Sequence, residues 1–424
     1  MIRFLFKGLL RDRSRSIFPL LAVFIGVFLT VFMYSFLNGV VMDMIRSTAH
    51  YQTGHLRIMT RAYAREADQN PNDLAFIGVA KLLRALNEKY PSMIWTPRIR
   101  FGGLLDVPDR NGETKTQGPV SGLGVDLLSP ASPDLTLLDI RKAVRLGRLP
   151  QKPGEILIGD ECAGKLKLAP GDTATLISST MYGSMAMANF TIAGTVRFGI
   201  AAMDRAAIFA DIGDVRRALD MPDAAGEVLG FFPDDRYDDK KATLMAASFN
   251  REYENPRDPF SPRMGTLPNE SGLADYLSLV DSMALIIVAI FVAAMSIVLW
   301  NAGLMGSLRR YGEIGVRLAI GEDNGHVYRT LVLEALMIGF LGSVLGTLAG
   351  AGVAYLMQVY GLDLGFLFKN SALMIPNVYH ARVTPGSFVI GFVPGMVSTV
   401  LGAAIAGIGI YRRQTSQLFK ELET

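Results

Sequence analysis

The stretch Ser16-Ile-Phe-Pro-Leu-Leu-Ala-Val-Phe-Ile-Gly-Val-Phe-Leu-Thr-Val-Phe-Met-Tyr-Ser-Phe-Leu-Asn-Gly-Val-Val-Met42 carries no charged side chain. Charges are also missing from Ser282–Leu308, Ala335–Leu362 and Val383–Tyr411. Each run is about 27–29 residues, or about 40 Å as a helix, against a bilayer hydrocarbon core of about 30 Å. A helix buried in a large soluble core is shorter, so four such runs mark an integral membrane protein. Charged residues make up 19% of the 424-residue chain, below the roughly 25% of a soluble domain. The shortfall is concentrated in these four segments.

Lysine and arginine in the short flanks set the expected orientation. Arg3, Lys7, Arg11, Arg13 and Arg15 precede the first span, and Arg309, Arg310, Arg317 and Arg329 lie between the second and third. Arg412, Arg413 and Lys420 follow the fourth, while the link between spans three and four holds only Lys369 and Arg382. By the positive-inside rule both termini are expected in the cytoplasm and the long insert outside, since long domains translocate largely regardless of charge. The first residues interleave Ile2, Phe4, Leu5, Leu9 and Leu10 with basic ones. They suit either an amphipathic helix on the inner leaflet or a simple extension of the first span. The apolar run after Arg15 is too long for the core of a cleavable signal peptide.

The expected layout is a cytoplasmic segment 1–15, a span 16–45, an external α/β domain 46–275 and a second span 276–306. A cytoplasmic coupling helix 307–325, a third span 326–362, a short external loop 363–383, a fourth span 384–411 and a tail 412–424 follow. Within the external domain, periodicity predicts a helix over Val79–Lys89 and strands at Gly154–Ile158, Ala174–Ile177, Phe190–Val196 and Ala207–Phe209. Asp214–Leu219 reads as a turn or two of helix. Pro233–Lys241 and Asn255–Pro268 read as exposed loops, and two packed subdomains are expected.

Several chemistries find no support in the sequence. A net charge of +3, without a basic run interleaved with aromatics, does not suggest nucleic acid. Cys162 is the single cysteine and reads as a small buried hydrophobe. His50, His55, His326 and His380 show no metal-ligand spacing with cysteine or carboxylates. Gly159, Gly164 and Lys165 stand at phosphate-loop spacing, but Leu166 occupies the place of the Mg²⁺-binding Ser or Thr, and Asp160 and Glu161 would repel phosphate. A strand-to-helix turn is the better reading. No catalytic constellation emerges.

The link between spans two and three is more informative. Ser307-Leu-Arg-Arg-Tyr-Gly-Glu-Ile-Gly-Val-Arg-Leu-Ala-Ile-Gly321 is far longer than a bare connection needs. It reads as a short helix with Glu313 and Arg317 as an i,i+4 pair and Gly321 at its C-cap. Such a helix is either a solvated surface element with ordinary topogenic arginines or a docking element for a cytoplasmic partner. Arg310–Gly321 resembles the signature of ABC-transporter permeases of the MacB/FtsX/LolC–LolE superfamily, departing from it at Leu318, where a basic residue is common. Glu334-Ala335 with Gly339, Gly342, Gly346 and Gly350 is similar to that family's third span. Gly8–Ser16 resembles its N-terminal basic segment, and Gly154–Gly159, Leu166–Asp172 and Ile192–Val196 resemble its extracytoplasmic core domain.

The resemblance implies a bacterial inner-membrane permease with one plus three spans, working as a dimer with a second copy or a paralogue. ATP and Mg²⁺ would be bound by two cytoplasmic ATPase subunits, with no cofactor on this chain. Arg309, Arg310, Glu313, Ile314, Arg317 and Gly321 would couple those ATPases to the external domain by mechanotransmission. Few polar residues stand in the spans, so no aqueous channel is expected. The rows Gly342/Gly346/Gly350 and Gly391/Gly395 suit small-residue packing, either within one chain or at a dimer seam.

Ser35-Phe-Leu-Asn-Gly-Val40 and Gly54-His-Leu-Arg-Ile58 resemble segments of the lipoprotein-releasing LolC/LolE branch. That implies lipoprotein cargo, a periplasmic carrier and acyl chains held between the outer halves of spans one and two. Candidate lining residues are Phe32, Phe36, Val40 and Met44 with Leu279, Met283, Ile286 and Ile290, which are equally suited to lipid-facing or packing positions. Alternatives are MacB-like export of peptides or drugs, FtsX-like control of cell-wall hydrolases, or, in another class, a membrane-anchored sensor with an external ligand domain. A sensor has no need of two additional spans.

Overall fold

The computed structural model describes residues 13–109, 111–270, 316–363 and 378–412, with scattered positions between 286 and 301. In chain order the longer elements are helix α1 (Arg13–Thr48), strand β1 (Leu56–Thr60), helix α2 (Val79–Lys89) and strands β2 (Ile94–Pro108), β3 (Thr114–Val125), β4 (Val144–Gly147) and β5 (Glu155–Gly159). Helix α3 (Asp160–Leu166), strands β6 (Thr173–Ser179), β7 (Met185–Val196) and β8 (Ala207–Asp211), helix α4 (Ile212–Ala218) and strand β9 (Glu227–Phe231) follow. Last come helix α5 (Asp239–Tyr253), strand β10 (Pro262–Thr266) and helices α6 (Asn324–Tyr360) and α7 (Pro385–Arg412). The chain forms two compact units that divide at Met42/Asp43.

In the membrane unit, three helices among the described residues are long and apolar enough to cross a bilayer: Ile17–Thr53, Asn324–Tyr360 and Pro385–Ile405. The expected second span, 276–306, lies outside the described residues except for isolated helical positions such as Ile286 and Ile290. Val23, Val27 and Val31, spaced four apart on α1, are almost completely buried. They are buried because α6 and α7 meet them with glycine. A Cβ on Gly346 would lie 2.7 Å from the Phe24 carbonyl oxygen and 2.9 Å from Val27 Cβ, and one on Gly350 would lie 2.8 Å from the Phe28 oxygen. On α7, a Cβ on Gly395 would lie 2.5 Å from Val27 and one on Gly391 the same distance from Val31. Both glycine rows therefore pack within this chain, which answers the question the sequence left open. In lipid, such close backbone approach supplies van der Waals contact where hydrophobic driving force is absent.

Polar groups in this unit are largely satisfied locally. The Thr30 and Thr399 hydroxyls donate to the carbonyls four residues earlier, at 2.8 and 2.7 Å. Ser35 Oγ donates to Ser387 Oγ at 3.0 Å, tying α1 to the start of α7.

The external unit is built on a mixed ten-stranded sheet in the order β10-β1-β9-β2-β3-β8-β5-β7-β4, with β6 pairing β2 and β7. β3–β8 and β5–β7 are parallel. Both faces of the sheet centre are covered. Ile156, Ile158, Ile208 and Ala210 enter one apolar cluster, and the intervening Leu157 and Phe209 enter another on the opposite face. This period-two alternation explains why β5 and β8 read as short continuous apolar runs. Val79, Leu82 and Leu86 bury one stripe of α2 against the first cluster.

Three expectations need correction. The external domain does not divide into two packed subdomains, because β2 runs through both arms of one sheet and a single apolar cluster extends from Leu56 to Met264. Asn255–Pro268 is not simply an exposed loop. It contains β10, which pairs antiparallel with β1 and buries Met264, its Pro262 standing at the strand start where a missing N–H is tolerated. Pro233–Lys241 likewise ends in helix, since the Asp238 side chain accepts from Lys241 N and caps α5. The β2–β3 hairpin was not expected at all. Pro97, Gly102, Gly103, Gly118, Pro119, Gly122 and Gly124 interrupt its pattern, yet Gly122 is required, because the Phe101 ring occupies the space a side chain would need.

Gly346→Ala should destabilise the membrane unit by about 1–3 kcal/mol, because the clash is with backbone. Gly352→Ala, with nothing within 4 Å of its Cβ position, should be neutral or stabilising by up to about 1 kcal/mol. Denaturant unfolding of the detergent-solubilised protein distinguishes the two.

Candidate functional site

Helix α1 does not fray where it ends. Residues Ala49–Thr53 wind into one π-turn, closed by Gly54 N donating to Ala49 O at 2.8 Å. Gly54 sits at φ +66°, and a Cβ there would lie 2.8 Å from Leu56 O. The last carbonyls of a helix lack intrahelical donors. Here two arginines of β2 supply them: Arg98 Nη1 donates to His50 O at 2.5 Å, and Arg100 Nη2 to Tyr51 O at 2.7 Å and Gln52 O at 2.9 Å. Cations at this end also complement the helix dipole.

Thr96, Arg98 and Arg100 share one face of β2 because strand side chains alternate. Two buried guanidiniums on one face require carboxylates. Arg98 and Asp134 are both fully buried and meet at 2.9 Å, and the Thr96 hydroxyl donates to the same carboxylate. Glu227 on β9 bridges two arginines, at 2.8 Å to Arg100 Nε and 2.6 Å to Arg57 Nε. Burial pushes the Glu227 carboxyl up, but Arg100 and Arg57 outweigh it and hold the group below its ordinary value. Of these residues only Arg57 stands in a segment singled out from sequence, Gly54–Ile58, and for a different reason. The available signal was the alternation Thr96-Pro-Arg-Ile-Arg100, which places two like charges on one side of an otherwise apolar strand.

Beside this clamp, Asp235 accepts from Arg46 Nε at 3.0 Å and meets His50 Nε2 at 2.6 Å. His55 Nδ1 accepts from Phe232 N at 3.0 Å, which places its proton on Nε2. Burial pushes the His55 imidazole down to about 4, with nearby His50 adding to the effect and Asp235 opposing it. Thus two residues of Gly54-His-Leu-Arg-Ile58, His55 and Arg57, serve the domain's own structure.

At the link leading into α6, Glu322 N donates to Arg317 O at 3.0 Å and Gly321 N to Leu318 O at 3.1 Å, with Gly321 at φ +94°. This is a Schellman stop. Asp323 immediately caps α6, accepting from Gly325 N at 2.9 Å and His326 N at 3.2 Å. Leu318 packs against Val327, which accounts for an apolar residue where the resembling signature has a basic one. Arg317 and Gly321 are thus placed at a tight elbow. Arg309, Arg310, Glu313 and Ile314 lie outside the described residues.

Of the expected lining residues, Phe32 and Phe36 continue a ladder of parallel rings with Phe24 and Phe28, at centroid spacings of 6.3, 6.3 and 6.4 Å. Val40 and Met44 prolong this half-buried row at the same four-residue interval. Ile286 and Ile290 are exposed, at 52% and 63%. Leu279 and Met283 lie outside the described residues. The phosphate-loop look-alike is the β5–α3 turn, with Cys162 buried in the apolar core. Among the described residues, no group of three or more His, Cys, Asp or Glu side chains is arranged to hold a metal ion.

Two measurements check this geometry. Arg98→Met alone strands Asp134 as a buried charge and should cost about 3–5 kcal/mol, whereas Arg98→Met with Asp134→Leu should recover most of it. Unfolding midpoints of the two proteins decide. For His55, the unfolded imidazole titrates near 6.5 and the folded one near 4. Its stabilising contribution is therefore complete above pH ~6.5 and lost as the pH falls toward ~4. His55→Asn, which keeps an acceptor, should flatten the stability profile across that window in pH-dependent thermal melts.

Comparison with known proteins places these features. The MacB-like periplasmic core domain family matches residues 16–232, half of the chain, and the FtsX-like permease C-terminal family matches residues 285–415. The macrolide export ATP-binding/permease protein MacB of Brucella abortus is 28% identical over 120 residues, 27% of this chain and 18% of that protein. The probable export ATP-binding/permease protein MacB of Pseudomonas entomophila is 25% identical over 118 residues, 27% of this chain and 17% of that protein. The alignments thus span less than a fifth of these relatives' length. The crystal structure of the periplasmic region of MacB from Actinobacillus actinomycetemcomitans aligns with a TM-score of 0.35 and 9% identity, covering 52% of this chain and 92% of that one. With a MacB-like periplasmic core domain followed by an FtsX-like permease domain, the chain belongs to the MacB/FtsX permease superfamily.

Proposed function

We propose that this chain is the transmembrane subunit of an ABC-type transporter in a bacterial inner membrane, driven by two copies of a separate cytoplasmic ATPase and paired with a second permease. The observation that carries this reading is the elbow at Arg317–Asp323, where a helix with the family's coupling signature passes into α6 through a Schellman stop and an N-cap. Only residues 320–323 separate the helical residues 316–319 from α6, and backbone bonds and the Asp323 cap hold them. A push on the link would therefore be delivered to α6 instead of being absorbed by a long loop. Both termini would be cytoplasmic, with four spans in all, and ATP with Mg²⁺ would sit on the ATPase.

The cargo we infer is a lipoprotein, released toward a periplasmic carrier. The half-buried row Phe32, Phe36, Val40 and Met44 presents flat rings and apolar side chains suited to acyl chains, with Leu279, Met283, Ile286 and Ile290 as the candidate lining residues of the second span. A second reading, export of a macrolide-like amphiphile, is favoured by the names of the Brucella and Pseudomonas relatives. Depleting the protein decides between them. Lipoproteins retained in the inner membrane support release, and normal sorting with increased macrolide sensitivity supports export.

Charge reversal tests the coupling. Glu313→Lys or Arg317→Glu should leave insertion unchanged and reduce ATPase co-purification or cargo release at least tenfold. Native levels of both would sink the coupling role.

A further inference from the structure

β2 has two ends with different partners. Its first residues, Ile94–Arg98, pair with β9, and Arg100 follows two residues on, opposite Leu123 of β3. Its second half pairs with β3 on one side and, through Leu104, Leu105 and Asp106, with β6 on the other. An extended strand advances about 3.3 Å per residue, so Arg98 and Asp106 stand roughly 26 Å apart along it.

We propose that Arg98 and Arg100 are positioning residues that fix β2 to the end of α1, so that a shift of α1 is carried along β2 to the β6–β7 end of the sheet. The inference rests on the reading that an ATPase moves the membrane helices. Three observations carry it. Three successive carbonyls, those of His50, Tyr51 and Gln52, are held by these two side chains and by no turn of helix. The guanidiniums are themselves locked by the buried carboxylates of Asp134 and Glu227, so they cannot swing to follow the helix end while leaving the strand behind. The π-turn also widens the helix at this point, a local geometry that recurs at functional sites.

Hydrogen exchange on the complete membrane complex, purified with its cytoplasmic ATPase, tests this with and without a non-hydrolysable ATP analogue. In the native complex, residues 316–326 and residues 173–187 should both change exchange on nucleotide binding. In Arg100→Met, whose Glu227 keeps Arg57 as a partner, 316–326 should respond as in the native protein while the response of 173–187 falls at least fivefold. Arg100→Lys, with one point donor instead of a fork, should fall between them; if Arg100→Met does not accumulate, the lysine variant carries the comparison. Arg148→Met, which breaks an ion pair with Glu155 away from the clamp, should respond like the native protein.

An undiminished response of 173–187 in Arg100→Met overturns the proposal. So does a native complex in which 316–326 responds and 173–187 does not, a result that leaves ATP coupling standing. A native complex in which neither segment responds overturns the coupling reading and this inference with it.

Discussion

The end of a membrane helix is a difficult place for a backbone, because its last carbonyls leave the bilayer without donors. In this protein that requirement organises the external domain. Arg98 and Arg100 meet the carbonyls of His50, Tyr51 and Gln52, and each guanidinium then requires a buried carboxylate. Asp134 comes from a short helix, Pro133–Leu137, that follows β3, and Glu227 from β9. Glu227 in turn holds Arg57 of β1. One polar chain thus ties β1, β9 and β2 to the helix terminus. Buried ion pairs of this kind are weak sources of net stability, because desolvation offsets attraction, but they are unforgiving of losing one member. Their contribution here is one of registration: they specify which turn of α1 meets which residue of β2.

The membrane unit obeys a different constraint. Its contacts are apolar and close, with Val23, Val27 and Val31 seated on glycines of α6 and α7. Packing of this type resists separation of the helices but has no directional bond to fix their rotation. Among the described residues, directional contacts include Ser35 with Ser387, which ties α1 to the start of α7, and the Asp323 cap at the start of α6. The same division recurs at the elbow, where Leu318 packs on Val327 while backbone hydrogen bonds and Gly321 set the angle.

What was legible in the sequence follows from these physical differences. Long uncharged runs, the helix Val79–Lys89 and the strands after residue 154 announce themselves because burial on one or both faces imposes a period or an unbroken apolar stretch. The family signature at Arg310–Gly321 carried the link. The β2–β3 hairpin escaped because its glycines and prolines read as breakers, yet Gly122 is there to admit the Phe101 ring and Gly103 the Ile177 backbone. β10 escaped because an edge strand tolerates proline and arginine. The clamp escaped for a deeper reason: its members lie at positions 57, 98, 100, 134 and 227. No local window contains the pairing, and each arginine alone looks like an ordinary surface charge.

The order of the strands has a consequence for how the protein is made. β1 emerges directly after the first membrane helix, yet both of its neighbours, β9 and β10, are encoded about 170–200 residues later. During synthesis the chain outside the membrane must therefore wait, with one strand unpaired on both edges and Arg57 without its carboxylate, until residue 266 has been translocated. Open strand edges are templates for wrong pairing. The sheet on the β1 side can therefore close only after β9 and β10 have followed, however readily the apolar helices enter the bilayer.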